Sequence, residues 1–218
     1  MRPEVLLPGV WEGLFVQALR LIDDISLRGK ADPFWTFGGG TVLILRHGHR
    51  RSKDVDIFLP DPQYLGFVTP RLSEIAESIS GDYVEAAAYV KLLLPQGEID
   101  FVAAPNLTQP GHEEWEMFGR KVRVETSVEI IAKKMWHRGD RVTARDLFDL
   151  SLVAQKEPQQ LARAAPFITR HRNTFLEQLQ TRQATLRLSF AEIDALDFPK
   201  SYDQCVVIAE RFLSRLPG

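Results

Sequence analysis

The sequence predicts an α+β fold: a mixed sheet flanked by helices, followed by an all-helical C-terminal region. Three observations lead there. Residues 34–59 read in quick succession as a strand, a glycine turn, a short helix and a second strand. Residues 83–103 are extended and interrupted at Pro95-Gln96-Gly97. From about Glu125 the apolar spacing becomes helical and stays so. The division falls near residue 120, with an α/β core over 1–120 and a helical domain over 121–218.

Trp11 to about Leu27 is an amphipathic helix, because Leu14, Ala18, Leu21, Ile22 and Ile25 fall near one face. Asp32-Pro33 signals a turn. Phe34 to Phe37 is a short aromatic strand ending at Gly38-Gly39-Gly40, and Thr41 to Arg46 a short helix stopped near Gly48. Val55 to Leu59 is a strand closed by Pro60-Asp61-Pro62. Pro70 to Ser80 reads as a helix with Leu72, Ile75 and Ala76 on one side. Tyr83 to Leu94 is extended, and a hairpin loop at Pro95-Gln96-Gly97 leads to a strand over Glu98 to Ala103. Thr126-Ser127-Val128-Glu129 has the form of a capping box, starting a helix that breaks at Gly139. Thr143-Ala144-Arg145-Asp146 repeats the signal, for a helix sending Leu147, Leu150 and Val153 to the core. Pro158, Pro166 and Pro199 punctuate further helices up to Leu213.

Composition narrows the class. A chain of 218 residues, 44% hydrophobic and 26% charged, is ordinary globular material. No apolar run approaches a membrane span, and Met1-Arg2-Pro3-Glu4 has no signal-like core. Cys205 is the lone cysteine, which excludes an intrachain disulfide and suits a reducing cytoplasm, the expected location. No Cys/His cluster suggests zinc. With 27 Lys and Arg against 29 Asp and Glu, the chain as a whole is not a strongly basic nucleic-acid binder.

Chemistry concentrates between Phe37 and Leu59. On a strand, Asp54 and Asp56 project to one face while Val55 and Ile57 turn into the core. Two adjacent carboxylates repel unless a cation lies between them, and oxygen-only ligands favour Mg²⁺ or Mn²⁺. Gly39 and Gly40 let backbone approach an anion, and the amides of a helix N-terminus point at it. Either motif alone is commonplace, a turn or a solvated strand edge. Their combination in this order is much rarer. On the strand from Glu98 to Ala103, Asp100 is the acid flanked by large apolar residues, and it is the candidate third carboxylate. Arg46, His47, His49, Arg50, Arg51 and Lys53 form a basic cluster beside the acids, readable equally as cations for an anionic substrate or as a solvated loop.

Four blocks carry a resemblance: Gly39-Gly40-Thr41; Arg50, Ser52, Asp54 and Asp56 at alternate positions; Glu129-Ile130-Ile131-Ala132-Lys133-Lys134; and Arg145-Asp146-Leu147-Phe148-Asp149. Together they are similar to the AbiEii/AbiGii-type toxin nucleotidyltransferases, a branch of the DNA polymerase β-like superfamily. The resemblance implies a polymerase β-like core whose cleft the helical domain completes. It implies catalytic roles for Asp54, Asp56, Asp100, Lys134 and Asp146, with Asp54, Asp56 and Asp100 as ligands of Mg²⁺ or Mn²⁺. It implies that Gly39, Gly40, Thr41, Arg50, Ser52 and Arg145 bind substrate. Arg50 and Ser52 share the parity of the two aspartates and would face the site if the strand began that early. The resemblance also implies transfer of a nucleoside monophosphate from a triphosphate to an RNA acceptor, tRNA among the candidates, by a bacterial toxin with a cognate antitoxin and no membrane partner. A protein or small-molecule acceptor, and a non-catalytic nucleotide-binding protein, are the competing readings.

Overall fold

The computed structural model describes residues 9–29 and 33–217. The opening tetrapeptide, and Asp32 of the turn signal, lie outside the described residues. The chain divides into two compact units, Met1–Leu45 with Ser52–Asn106 and His112–Glu125, and Arg46–Arg51 with Leu107–Gly111 and Thr126–Gly218. Both are discontinuous, and the last crossing falls at Glu125/Thr126 rather than near residue 120.

In the first unit, helix α1 (Trp11–Gly29) precedes strand β1 (Thr36–Gly38), helix α2 (Gly39–His47, whose last two residues count with the second unit) and strand β2 (Val55–Leu59). Short helices α3 (Leu65–Val68) and α4 (Glu74–Ile79) follow, then β3 (Tyr83–Ala86), β4 (Tyr89–Leu94), β5 (Gly97–Ala103), β6 (His112–Met117) and β7 (Arg120–Glu125). The strands form a seven-stranded mixed sheet in the order β3-β4-β5-β2-β1-β7-β6. The β2/β5 and β1/β7 pairs are parallel and the others antiparallel. Strict alternation along β2 buries Val55, Ile57 and Leu59, and along β5 buries Ile99 and Phe101. The apolar stripe of α1, with Leu14, Phe15, Ala18, Leu21, Ile22 and Ile25 fully buried, is the counterpart of that face. Trp11, Phe15, Phe37 and Phe118 interlock at one end, the Phe15 and Phe37 ring centroids 4.5 Å apart.

Three elements differ from the expectation. The helix read from Pro70 begins at Glu74, because Ser73 caps it by accepting from the Ala76 amide. The extended stretch from Tyr83 to Leu94 is two strands folded back on each other through Ala87-Ala88. The β6/β7 hairpin has no counterpart in the expectation at all.

The second unit is helical: α5 (Ser127–Arg138), α6 (Ala144–Lys156), α7 (Pro158–Arg163), α8 (Ala165–Ile168), α9 (Arg172–Thr181), α10 (Gln183–Ala191) and α11 (Tyr202–Leu213). Pro158 and Pro166 sit in first turns, where the missing N–H costs nothing. Thr126 caps α5 through the Glu129 amide, but Glu129 does not complete the box. Its buried carboxylate instead accepts from the Leu107 and Thr108 amides and the Thr108 hydroxyl. Residues 48–51 lie along 194–197, with an Arg50–Ala195 bridge and an Arg51 amide bond to the Asp194 carbonyl.

Candidate active site

Cross-strand register assembles the site of the first unit. Gly38 is opposite Asp56, Asp56 is opposite Asp100, and Asp100 is opposite Lys91. Residues directly opposite share a face, so β1, β2, β5 and β4 place Gly38, Asp56, Asp100 and Lys91 on one rung. That face is the one that β2 and β5 turn away from the core. Asp54 precedes the strand. Its Oδ1 accepts the Glu98 amide at 3.2 Å, which ties it to the start of β5.

The glycine turn closes on the same acids. Gly39 has φ +70°, a left-handed value that favours glycine, and a Cβ there would come within 1.9 Å of Asp56 Oδ2. A Cβ on Gly38 would come within 2.2 Å of Glu125 Oε2, whose other oxygen accepts from Thr36 Oγ1 at 2.8 Å. The absent side chains thus make room for carboxylates beside the first turn of α2, where Gly40 is half-buried. Thr41 was expected to donate to substrate. It is buried, and its hydroxyl instead donates to the Asp54 carbonyl and lies 3.2 Å from Ser52 Oγ. Thr41 therefore clamps the approach to β2, with Ser52 in the same contact.

Asp100 carries the electrostatic strain of the rung. Burial raises its pKa to about 7, the Asp56 charge adds to the rise, and Lys91 opposes it. Lys91 Nζ is 3.2 Å from Asp100 Oδ2 and also holds Glu98. Asp100 Oδ1 is buried and has no hydrogen-bond partner among the described residues. A buried oxygen of this kind, next to a second carboxylate, suits a cation. Among the described residues no three Asp, Glu, His or Cys side chains gather closely enough to enclose a metal ion themselves. The expected trio of Asp54, Asp56 and Asp100 is therefore not a ready-made three-carboxylate cage, and the register brings together Asp56 and Asp100 alone. Lys91, Glu98 and Glu125 were not singled out in the sequence; strand register would have found them.

Arg50, Lys134, Asp146 and Asp149 meet in the second unit. Asp149, fully buried on α6, accepts from His49 Nε2 at 2.9 Å, from Arg50 Nε at 2.9 Å and Nη2 at 3.1 Å, and from Lys134 Nζ at 2.5 Å. Asp146 lies 3.1 Å from Lys134 Nζ and 2.6 Å from Arg138 Nη2, and takes the Thr143 hydroxyl at 2.7 Å. Burial alone would raise both acids. Arg50 and Lys134 hold Asp149 well below the usual carboxylate range, and Lys134 and Arg138 hold Asp146 below it. Burial lowers the pKa of His49. Lys133, adjacent to Lys134, turns to Glu129 at 3.5 Å.

Arg50 and the basic cluster, left open by the sequence, take definite places here. Arg50 does not extend the strand of Asp54 and Asp56. That strand begins at Val55, and Arg50 belongs to the other unit, where its guanidinium grips Asp149 bidentately. The basic cluster is neither a free cation patch nor a solvated loop throughout. His49 and Arg50 are buried on Asp149, while His47 meets Ser127 and Glu157. Arg145 is exposed on α6.

Among the described residues, no helix is long and apolar enough to cross a membrane. No curated protein sequence matches the chain significantly. In fold, the chain is similar to the MenT4 nucleotidyltransferase toxin of Mycobacterium tuberculosis H37Rv, at 17% identity and TM-score 0.50, covering 97% of this chain and 87% of that one. It is also similar to a Helicobacter pylori protein assigned as a nucleotidyltransferase, at 16% identity and TM-score 0.51, covering 96% and 97%. The profile of the AbiEii nucleotidyl transferase toxins of type IV toxin–antitoxin systems matches residues 20–211. The chain therefore belongs to the AbiEii family and is a nucleotidyltransferase of the toxin type.

Proposed function

We propose that this protein transfers a nucleoside monophosphate from a triphosphate to RNA, using Mg²⁺ or Mn²⁺ held by Asp56 and Asp100 with Asp54 beside them. The observation that carries this reading is the pairing of Asp56 with Asp100 on one rung, against the Gly39 backbone, with Asp100 Oδ1 buried and lacking a hydrogen-bond partner among the described residues. An acceptor hydroxyl attacks the α-phosphorus, the new O–P bond forms, and the bond to pyrophosphate breaks. A bound divalent ion supplies charge neutralisation and polarisation of the phosphate oxygens. Gly39 and Gly40 leave room for phosphate at the N-terminus of α2, where backbone amides point outward. Asp100 is the group for the hydroxyl proton. Thr41 fixes the backbone from which Asp54 and Asp56 project.

Charge favours an RNA acceptor. The second unit contains 17 Lys and Arg against 11 Asp and Glu, a net of +6, and the first 10 against 18, a net of −8. The near-neutral whole hides a basic helical unit, and phosphate contacts dominate nucleic-acid affinity. Family membership implies a cognate antitoxin as a partner. The test is incubation with α-labelled triphosphates, Mg²⁺ or Mn²⁺, and total cellular RNA. Label should appear in RNA and be lost with Asp56→Ala. Label in protein alone would move the acceptor to another class, and no label in any fraction would overturn the reading.

A further inference from the structure

Lys91 faces Asp100 across the β4/β5 register, and Glu98, two residues before Asp100, lies on the diagonal. The ammonium is shared: Nζ is 3.2 Å from Asp100 Oδ2 and is also paired with a Glu98 oxygen. The pairing satisfies one oxygen of Asp100 and leaves Oδ1 buried without a hydrogen-bond partner among the described residues. The two partners differ in setting, since the Glu98 side chain is 39% exposed and that of Asp100 19%. A lysine is a compact charge on a flexible four-carbon stem, so it can leave one carboxylate for the other without backbone movement.

We propose that Lys91 is a positioning residue that exchanges with the metal, neutralising Asp100 while no divalent ion is bound and moving wholly onto Glu98 when Mg²⁺ or Mn²⁺ takes Asp100. The inference rests on the reading of Asp56 and Asp100 as metal ligands. An ammonium and a dication sharing one carboxylate repel, so a metal ion entering at Oδ1 weakens the hold of Lys91 on Oδ2 and favours its pairing with Glu98. Glu98 gives the displaced ammonium a destination within its present reach. Lys91 therefore keeps the acid rung folded without metal and sets the concentration at which metal enters.

The test is a Mn²⁺ titration of the full chain followed by electron paramagnetic resonance, without nucleotide. Lys91→Met should bind Mn²⁺ roughly three- to tenfold more tightly, as expected for removing one partly exposed competing charge. Glu98→Gln should weaken binding by a similar factor, because Lys91 then has Asp100 alone. In the Lys91→Met background, Glu98→Gln should change little, since the effect of Glu98 runs through Lys91. Asp100→Asn should remove the site, and circular dichroism checks that each variant is folded. Unchanged or weaker binding by Lys91→Met, or a full effect of Glu98→Gln without Lys91, would overturn the exchange while leaving the metal reading intact. Absence of Mn²⁺ binding by wild type and all variants would overturn both.

Discussion

Asp100 on β5 and Asp149 on α6 are both acids withdrawn from water beside basic side chains, yet the two units treat them oppositely. Asp149 receives His49, both arms of Arg50, and Lys134, and its pKa is held far down. Asp100 receives part of one ammonium, faces the charge of Asp56, and has its pKa raised to about 7. The first arrangement supplies stability and the second consumes it. A fold tolerates an under-neutralised acid where a ligand is to complete the charge balance, and such perturbed groups gather at functional sites. The contrast fits the proposed role of the Asp56 and Asp100 rung in chemistry, while the ion pairs around Asp149 brace the helical unit whatever further part Lys134 and Asp146 play.

Mutations can break this contrast. The largest stability effect should come from Asp149→Asn, which leaves Arg50 and Lys134 buried around a neutral amide. A loss of about 3–5 kcal/mol is expected, measured by urea unfolding at pH 7. A loss below about 1 kcal/mol would mean that the cluster does not brace the unit. Acid should act in the same direction. The folded pKa of Asp149 lies below its unfolded value near 3.8, so its contribution is complete above that pH and declines as pH falls toward the folded value.

Asp100→Asn should act the other way, gaining about 1–2 kcal/mol at pH 8 by removing a carboxylate the fold disfavours when charged. Here the folded pKa is raised from 3.8 to about 7, so wild type loses stability as pH rises across that window. The advantage of the variant should therefore shrink toward pH 4, and an equal difference at both pH values would contradict it. A smaller effect belongs to Thr41→Val, which removes the hydroxyl bound to the Asp54 carbonyl. About 1 kcal/mol of stability should be lost, with Thr41→Ser restoring most of it. Cys205, buried with its thiol pushed up to about 11, should resist alkylation in the native protein and react on unfolding.

Sequence alone shows the parts of this molecule that local physics determines. Alternation puts Val55 and Ile57 inward, and Thr126 and Thr143 start α5 and α6 through bonds within one turn. Gly39 is legible because few other residues adopt its backbone. What escapes depends on partners far along the chain. Glu113, Glu114 and Glu116 hide the β6 strand, whose buried residues are Trp115 and Met117, and its turn uses Phe118 at φ 51° instead of an Asn-Gly signal. The β3/β4 turn at Ala87-Ala88 has no turn residue. Parity could not decide the place of Arg50, because it holds only within a strand and residues 51–54 are not strand. Lys91 needed the β4/β5 register to be noticed.

The most direct measurement is single-turnover transfer from an α-labelled triphosphate by Asp100→Asn, on protein whose raised melting temperature shows that it is folded. If the rung is the reacting site, transfer falls by about 10²–10⁴-fold, the usual scale for a lost proton acceptor, while the fold gains stability. A stable Asp100→Asn protein that transfers label at the wild-type rate would contradict the account.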